Sequence, residues 1–430
     1  HFTIHSFPTR RSSDLLEHLA RAGFPTSNVL FAEDGKEVAT AVDESGDAFQ
    51  VRLLTWIPGS RLCDIRPHSP HLLTSLGAFL GGMDRALEDF THPAQDRALD
   101  WDLRRAGEVI ASRLEYVESR DRRALLERLS RGLLRRLAPL VPDLRLSVIH
   151  GDGNDHNVLV SELGPDGDPA SRRVAGVVDF GDACRSYTVA EAAIAGAYAM
   201  LGKGDPLAAG AQVVKGYHRA LPMREAEIEA LFPLMGLRLC TSVVLSAYQK
   251  SREPENDYLV VSEGPAWDLL ARLDAEILDL PRLFFREACD LDPVPSLGRV
   301  VAWIQSHGPE ASPVVGRREE SGAPPGSREI TPLDLSRVPV HVFDLGVDSA
   351  ELAGAMDPED ADGWTEWIFR TLHEKEAMVG VGRYDEVRRW YTTPLFRSHG
   401  GDPPEWRTVH LGIDLFVQPG SPVLAPLDAV

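Results

Sequence analysis

Apolar and polar positions change period several times along the chain, and each change predicts an element. Residues 16–23 read as the tail of a helix stopped by Gly23 and Pro25. Two alternating runs, Val38–Val42 and Phe49–Trp56, predict strands joined by the turn-rich DESGD, and Pro58-Gly59 ends the second. Helical spacing then dominates from about Leu72 to Leu140. Short strands are expected at Ser147–His150 and Val174–Asp179, with GPDGDPA as the turn-rich stretch between them. Helical patterning returns from Val189 to about Ala288. Residues 309–332 are rich in Pro, Gly and charge, a linker composition. Beyond them, residues 333–430 carry more tryptophan and β-type punctuation, so a second domain is expected there. No repeat of fixed period is visible.

The 430 residues allow two or three domains at about 150 residues each. With 45 basic and 65 acidic residues the net charge is −20, which argues against nucleic-acid and polybasic membrane partners. Cys63, Cys184, Cys240 and Cys289 are widely spaced and form no CxxC pair, so reduced thiols and a cytoplasmic location are expected. Apolar runs such as Val189–Leu201 are short for a bilayer and include Glu191. Lysine is scarce, limited to Lys36, Lys203, Lys215, Lys250 and Lys375, a bias that arginine-rich coding explains. The scarcity limits which lysine could touch a phosphate.

The strongest chemical signal is His150-Gly151-Asp152 with Asn157, followed by Asp179-Phe180-Gly181-Asp182. Phosphoryl transfer needs an acceptor for a hydroxyl proton and divalent ions on the phosphates. Asp152 suits the first task. Asn157 and Asp179 offer hard oxygen ligands to Mg2+. The stretch between them accommodates two short strands and a turn, which would bring the two ligands side by side. His150 reads as a structural histidine. Asp182 fits a turn or helix N-cap as well as a metal or substrate role, and Glu191 fits a solvated helix face better than a cationic substrate.

These motifs resemble the protein-kinase pattern with Gly in place of its middle Arg, the form found in aminoglycoside phosphotransferases and related small-molecule kinases. The run VIHGDGNDHNVLV with GVVDFGDACRSYTVAEAAIAGAYAM is most similar to the hydroxylysine kinase and homoserine kinase-like branch, over roughly residues 16–300. The resemblance implies that Asp152 is the catalytic base and that Asn157 and Asp179 bind Mg2+. It also implies a hinge at Leu54, Thr55 and Trp56 that gives backbone hydrogen bonds to the adenine of ATP. The implied fold class is α+β: a small-lobe remnant (16–56) and a mainly helical large lobe (57–308), followed by a partial all-β domain. A phosphate-covering glycine loop and a strand lysine paired with a helix glutamate are not recognisable, because Lys36 lies in the turn EDGKE and Glu17 at the end of the helix remnant. Residues 1–15 resemble translated sequencing-adapter read-through and are set aside from the fold. The chain is accordingly expected to be a window of a longer polypeptide and to lack kinase activity.

A second constellation lies at His410 and Asp414, whose even spacing on a strand puts both side chains on one face. A surface pair explains it, and so does half of a zinc site. With Gly420, Pro422, Val423 and Ala425 the run resembles the lysostaphin-like zinc endopeptidases, over residues 333–430. That likeness implies a partial Zn2+ site at His410 and Asp414 without the later HxH, so hydrolysis is not expected. Bacterial proteins that join such a kinase, such a module and a class III aminotransferase-like domain have this order, which implies a third domain beyond Val430.

The expected function is ATP-dependent phosphorylation of a hydroxyl on a small amino-bearing metabolite, with hydroxylysine-, homoserine- and ethanolamine-like acceptors as candidates. The alternative is a non-catalytic scaffold with a degenerate kinase lobe and a peptidase-like interaction module. A zinc endopeptidase with a kinase-like regulator is a weaker third reading.

Overall fold

The computed structural model describes residues 2–3, 10–42, 46–164, 167–168, 171–253, 263–275, 280–291, 333, 335, 337–346, 349, 352, 360–384, 386–388, 391 and 409–423. The chain divides into two compact units, His1–Asp290 and Leu291–Val430. The linker expected at 309–332 lies outside the described residues.

The first unit opens with β1 (Phe2–Thr3), α1 (Arg10–Arg21), β2 (Val29–Leu30), β3 (Ala39–Val42) and β4 (Ala48–Leu54). β4 is the hub, and the three other strands all pair with it antiparallel. The two strands expected from alternation are β3 and β4. Residues 10–15, set aside from the fold on the sequence, form the first turns of α1, which starts at Arg10. Leu15, Leu16 and Leu19 are buried along one side of it. That apolar side emerges only when 10–21 is read as one helix, since the polar RRSSD at its start hides the period.

β5 (Ser60–Arg61) leads to α2 (Pro70–Ala86), α3 (Ala106–Arg113) and α4 (Arg120–Leu137). Ser69 caps α2 by accepting the Leu72 N–H (3.1 Å), and Pro70 occupies the first turn, where its missing N–H costs nothing. The stripe Leu72, Leu76, Leu80 and Met83 turns inward. After β6 (Leu146–Ile149), β7 (Val158–Val160), β8 (Val174–Val177) and β9 (Cys184–Tyr187), the chain becomes helical. It forms α5 (Ala190–Met200), α6 (Pro206–Ala220), α7 (Glu225–Arg252), α8 (Glu263–Ala275) and α9 (Leu280–Ala288).

α2 and α6 pack backbone against backbone. A Cβ on Gly77 would stand 1.8 Å from the Val213 carbonyl oxygen, and one on Gly216 would stand 1.9 Å from that of Thr74. Only glycine permits this approach from either side. α7 is long and apolar enough to cross a membrane by length and composition, with a mean hydropathy of 1.6 over 18 residues, which the shorter runs noted in the sequence did not reveal. In the structure 89 % of that window is buried, as in a core helix.

The second unit contains β10 (Val340–Phe343), α10 (Ala361–Glu374), β11 (Val379–Gly382), β12 (Glu386–Val387), β13 (Val409–His410) and β14 (Asp414–Phe416). β10 and β11 are parallel, β14 joins β11 antiparallel, and β12 pairs with β13. The all-β expectation for 333–430 is therefore corrected: the described residues form a mixed α/β unit. Parallel neighbours require a crossover, and α10 supplies it. Asp360 caps the helix through the Gly363 N–H (2.9 Å). Trp367, Ile368 and Leu372 pack with Phe343 and Leu345 at helical spacing, a period masked in the sequence by the surrounding Pro, Gly and Asp residues.

Candidate active site

β6 runs into His150-Gly151-Asp152, and β7 begins directly after Asn157, so one loop carries both Asp152 and Asn157. β7 pairs antiparallel with β8, Val158 opposite Val177, and the Val178 N–H donates to the Asn157 carbonyl (2.9 Å). This hairpin returns Asp179 beside Asn157, the arrangement that the spacing predicts. His150 is fully buried and fastens the two segments together. Its Nδ1 accepts the Asp152 N–H (3.2 Å), which makes Nε2 the protonated nitrogen that donates to the Val178 carbonyl (3.0 Å). Phe180 stands edge-on to its ring at 4.8 Å.

Asp152 is gripped from two sides. Its Oδ2 accepts from Asn157 Nδ2 (2.7 Å), and that amide also donates to the Asp152 backbone carbonyl (3.0 Å). A carboxylate can only accept here, so the Asn157 NH2 faces Asp152 and its Oδ1 faces away, the orientation a cation ligand needs. Oδ1 of Asp152 accepts from Arg238 Nη2 at 2.5 Å. Arg238 comes from α7, is 1 % exposed, and stacks on Trp101 with its Cζ 4.4 Å from the ring centroid. Sequence reasoning missed Arg238. A lone arginine inside LFPLMGLRLCTSVVL was the available signal, because a guanidinium is buried only where a partner awaits it.

Beneath the loop lie two buried carboxyl groups. Glu191 is fully buried, which corrects its reading as a solvated helix position. Its Oε2 accepts the Gly151 N–H (2.8 Å), and burial raises its pKa. Asp84, on the apolar side of α2, accepts from the Tyr217 hydroxyl (2.5 Å). Burial, with Glu191 nearby, pushes its carboxyl well above the usual range.

Asp179 takes a left-handed backbone (φ 64°, ψ 70°), and its Oδ1 accepts the Gly181 N–H (3.1 Å). A non-glycine residue there costs roughly 1–3 kcal/mol, strain that concentrates at functional positions. Asp182 closes the turn that Asp179 caps, so Asp182 is not itself a helix cap. Its carboxyl is raised first by burial and then by the charges of Asp152 and Asp179, and Arg97 Nη2 approaches it to 3.7 Å.

A cleft of about 640 Å³ adjoins the loop, lined by Arg52, Leu54, Thr55, Trp56, Asn157 and Asp179 among others. The three hinge residues expected from the resemblance thus share a cavity with the two expected Mg2+ ligands. The Thr55 N–H is already engaged by the Asn28 carbonyl (2.9 Å). The donor set suits Mg2+, since both candidate ligands offer hard oxygens and phosphates complete the shell in such sites.

In the second unit, His410 and Asp414 are neighbours, with Nε2 and Oδ1 3.4 Å apart. Asp414 Oδ2 accepts from Arg388, and His410 Nδ1 meets the Tyr391 hydroxyl. Burial and the Arg388 charge lower the His410 pKa. No group of three metal-binding side chains occurs among the described residues. The pair does not fit a zinc ion: one ligand is neutralised by a guanidinium, and among the described residues no third stands beside it.

The sequence profile of the phosphotransferase enzyme family matches residues 8–227, half of the chain. Hydroxylysine kinase of Bos taurus is 31% identical over 287 residues, covering 63% of this chain and 75% of its own length. Hydroxylysine kinase of Danio rerio is 31% identical over 270 residues, covering 60% and 73%. Among solved structures, a microcompartment-associated aminopropanol kinase is 21% identical with a TM-score of 0.50, covering 64% of this chain and 85% of that one, a likeness of fold. None of these matches bears on the endopeptidase resemblance of residues 333–430.

Proposed function

The chain belongs to the phosphotransferase enzyme family, and from that premise we propose that it phosphorylates the hydroxyl of a small amino-bearing metabolite with ATP and Mg2+. The observation that carries this reading is that Asn157 and Asp179 line one cleft and Asn157 is hydrogen-bonded to Asp152. Asp152 would accept the proton of the attacking hydroxyl at the carboxylate that Asn157 and Arg238 hold in place. Asn157 Oδ1 and the Asp179 carboxylate would hold Mg2+, which when bound neutralises phosphate charge. Leu54 to Trp56 would line the adenine end of the cleft.

An amino-bearing acceptor is supported by the acidic character around Asp152 and Asp182, and a hydroxylysine-like one by the names of the relatives. The phosphate-covering loop and strand lysine implied by the resemblance have no counterpart among the described residues ahead of β4. Lys36 is tied to Asp34 (2.6 Å) in an exposed turn. Turnover is therefore expected to fall far below that of a site with both features. A degenerate scaffold would be expected to have lost one of the three polar residues, and all three are present together. Four free cysteines, three of them buried, fit a reducing cytoplasm.

The test is a single-turnover assay with labelled ATP and Mg2+ against hydroxylysine, homoserine, ethanolamine and aminopropanol. Acceptor-dependent phosphate transfer that disappears in Asp152→Asn supports the reading. A chain that binds no adenine nucleotide sinks it.

A further inference from the structure

Arginines enclosed in the first unit close on carboxylates. Arg145 grips Glu227 (2.7 Å), Arg238 takes Asp152 (2.5 Å), and Arg286 takes Glu225 and Glu229 (each 2.8 Å). Arg52 does not follow this pattern. It projects from β4, two residues before the hinge, into the wall of the cleft that also holds Asn157 and Asp179. Among the described residues its guanidinium donates to the neutral Ser13 hydroxyl (3.3 Å) and forms no ion pair. Glu37 and Asp179 lie close enough to act on its charge, while half-burial lowers its pKa. An arginine stays protonated under such a shift, so the cleft keeps a partly desolvated cation with no carboxylate of the described residues in ion-pair contact.

Such a position suits an anion brought by a ligand. A triphosphate nucleotide carries about four negative charges, and one Mg2+ leaves roughly two to be met by the protein. Arg61, the other arginine lining the cleft, is paired with Asp64 (2.9 Å). Arg52 therefore stands where phosphates would meet a fork of N–H donors, whose charge-assisted bonds to phosphate oxygens are the strong kind.

We infer that Arg52 is a phosphate-binding residue of this chain, receiving the nucleotide's phosphates from β4 in the absence of a recognisable strand lysine. This rests on the kinase reading of the same cleft. The experiment is isothermal titration of the full chain and of Arg52→Met and Arg52→Lys. The two ligands are a non-hydrolysable ATP analogue with Mg2+, and adenosine, which has no phosphate. The expected result is at least a tenfold loss of analogue affinity in Arg52→Met, about 1.4 kcal/mol. Adenosine binding should stay within about twofold, and Arg52→Lys should fall between parent and Arg52→Met. Unchanged analogue affinity in Arg52→Met overturns the inference and leaves the kinase reading standing. Equal loss of adenosine also overturns it, because Arg52 then shapes the cavity and does not bind phosphate. A parent that binds neither ligand removes the kinase reading itself, and the inference with it.

Discussion

Asp152 in the first unit and Asp414 in the second each accept from an arginine brought from a distant position, yet the two pairs have opposite consequences. Arg238 holds one oxygen of Asp152 and the cleft-lining Asn157 holds the other, while the side chain remains 21% exposed. That carboxylate is fixed in direction and still open to a substrate. Arg388 serves Asp414 and the buried Glu386 at once (2.9 Å to Glu386), and Tyr391 occupies His410. There one guanidinium is shared between two carboxylates, so Asp414 is charge-compensated inside the unit. A carboxylate–arginine pair thus takes its meaning from its neighbours: Asp152 stands against the cleft-lining Asn157, and Asp414 shares its arginine with a second carboxylate.

The largest expected effect is on chemistry. Asp152→Asn should lower single-turnover phosphate transfer by about 10²–10⁴-fold, the usual worth of a positioned proton acceptor. His410→Ala and Asp414→Ala should leave it unchanged. Equal losses in both units would abolish the distinction.

Stability should separate the pairs next. Asp152→Ala strands the buried Arg238 without its carboxylate, a change that costs about 3–5 kcal/mol. Arg238→Met should cost less, because the partly exposed Asp152 can recover water. Asp414→Ala should cost under about 1 kcal/mol, since Arg388 keeps Glu386. Urea unfolding with peptide-resolved hydrogen exchange reads each unit separately, and a reversed order for Asp152→Ala and Arg238→Met would contradict the burial argument.

The carboxyl beneath the loop gives a smaller, pH-dependent effect. Asp84 ionises near 3.8 when unfolded and well above that when folded. The folded state therefore holds the proton over the window above 3.8. The stability this group contributes is complete below that pH and is lost as pH rises. Asp84→Asn keeps an acceptor for Tyr217 and removes the penalty, so the variant should gain on the parent between pH 5 and pH 8 in urea midpoint. A constant difference across that range would show that Asp84 does not titrate as its burial implies.

The smallest expected effect is that of zinc. Stoichiometric Zn2+ should not raise the thermal midpoint of the second unit, because Arg388 already neutralises Asp414 and competes with a cation for it. A rise that disappears in His410→Ala would restore the metal-site reading of that pair.

Much of the active site is legible in one dimension because its parts are close in sequence. Asp152 and Asn157 share a loop, and the distance to Asp179 is that of a hairpin. The hinge strand shows in the alternation before Pro58. The second unit was harder to read, since the helical period of Trp364, Trp367, Ile368 and Leu372 sits in a stretch whose Pro and Gly punctuation suggests β structure. The start of α1 was hidden for a similar reason, its first turn being polar.

Local spacing determined that a hairpin brings Asn157 and Asp179 together, because hairpin closure depends on residues only a few positions apart, and the resemblance of the motifs supplied their kinase character. Burial and long-range pairing were decided by the tertiary structure. It places Arg238 against Asp152 across 86 positions, encloses Glu191 and Asp84 beneath the loop, directs Arg52 into the cleft and lets Arg388 neutralise Asp414. Whether a charged side chain faces water, a partner or a ligand depends on what other elements pack over it, and no local period encodes that.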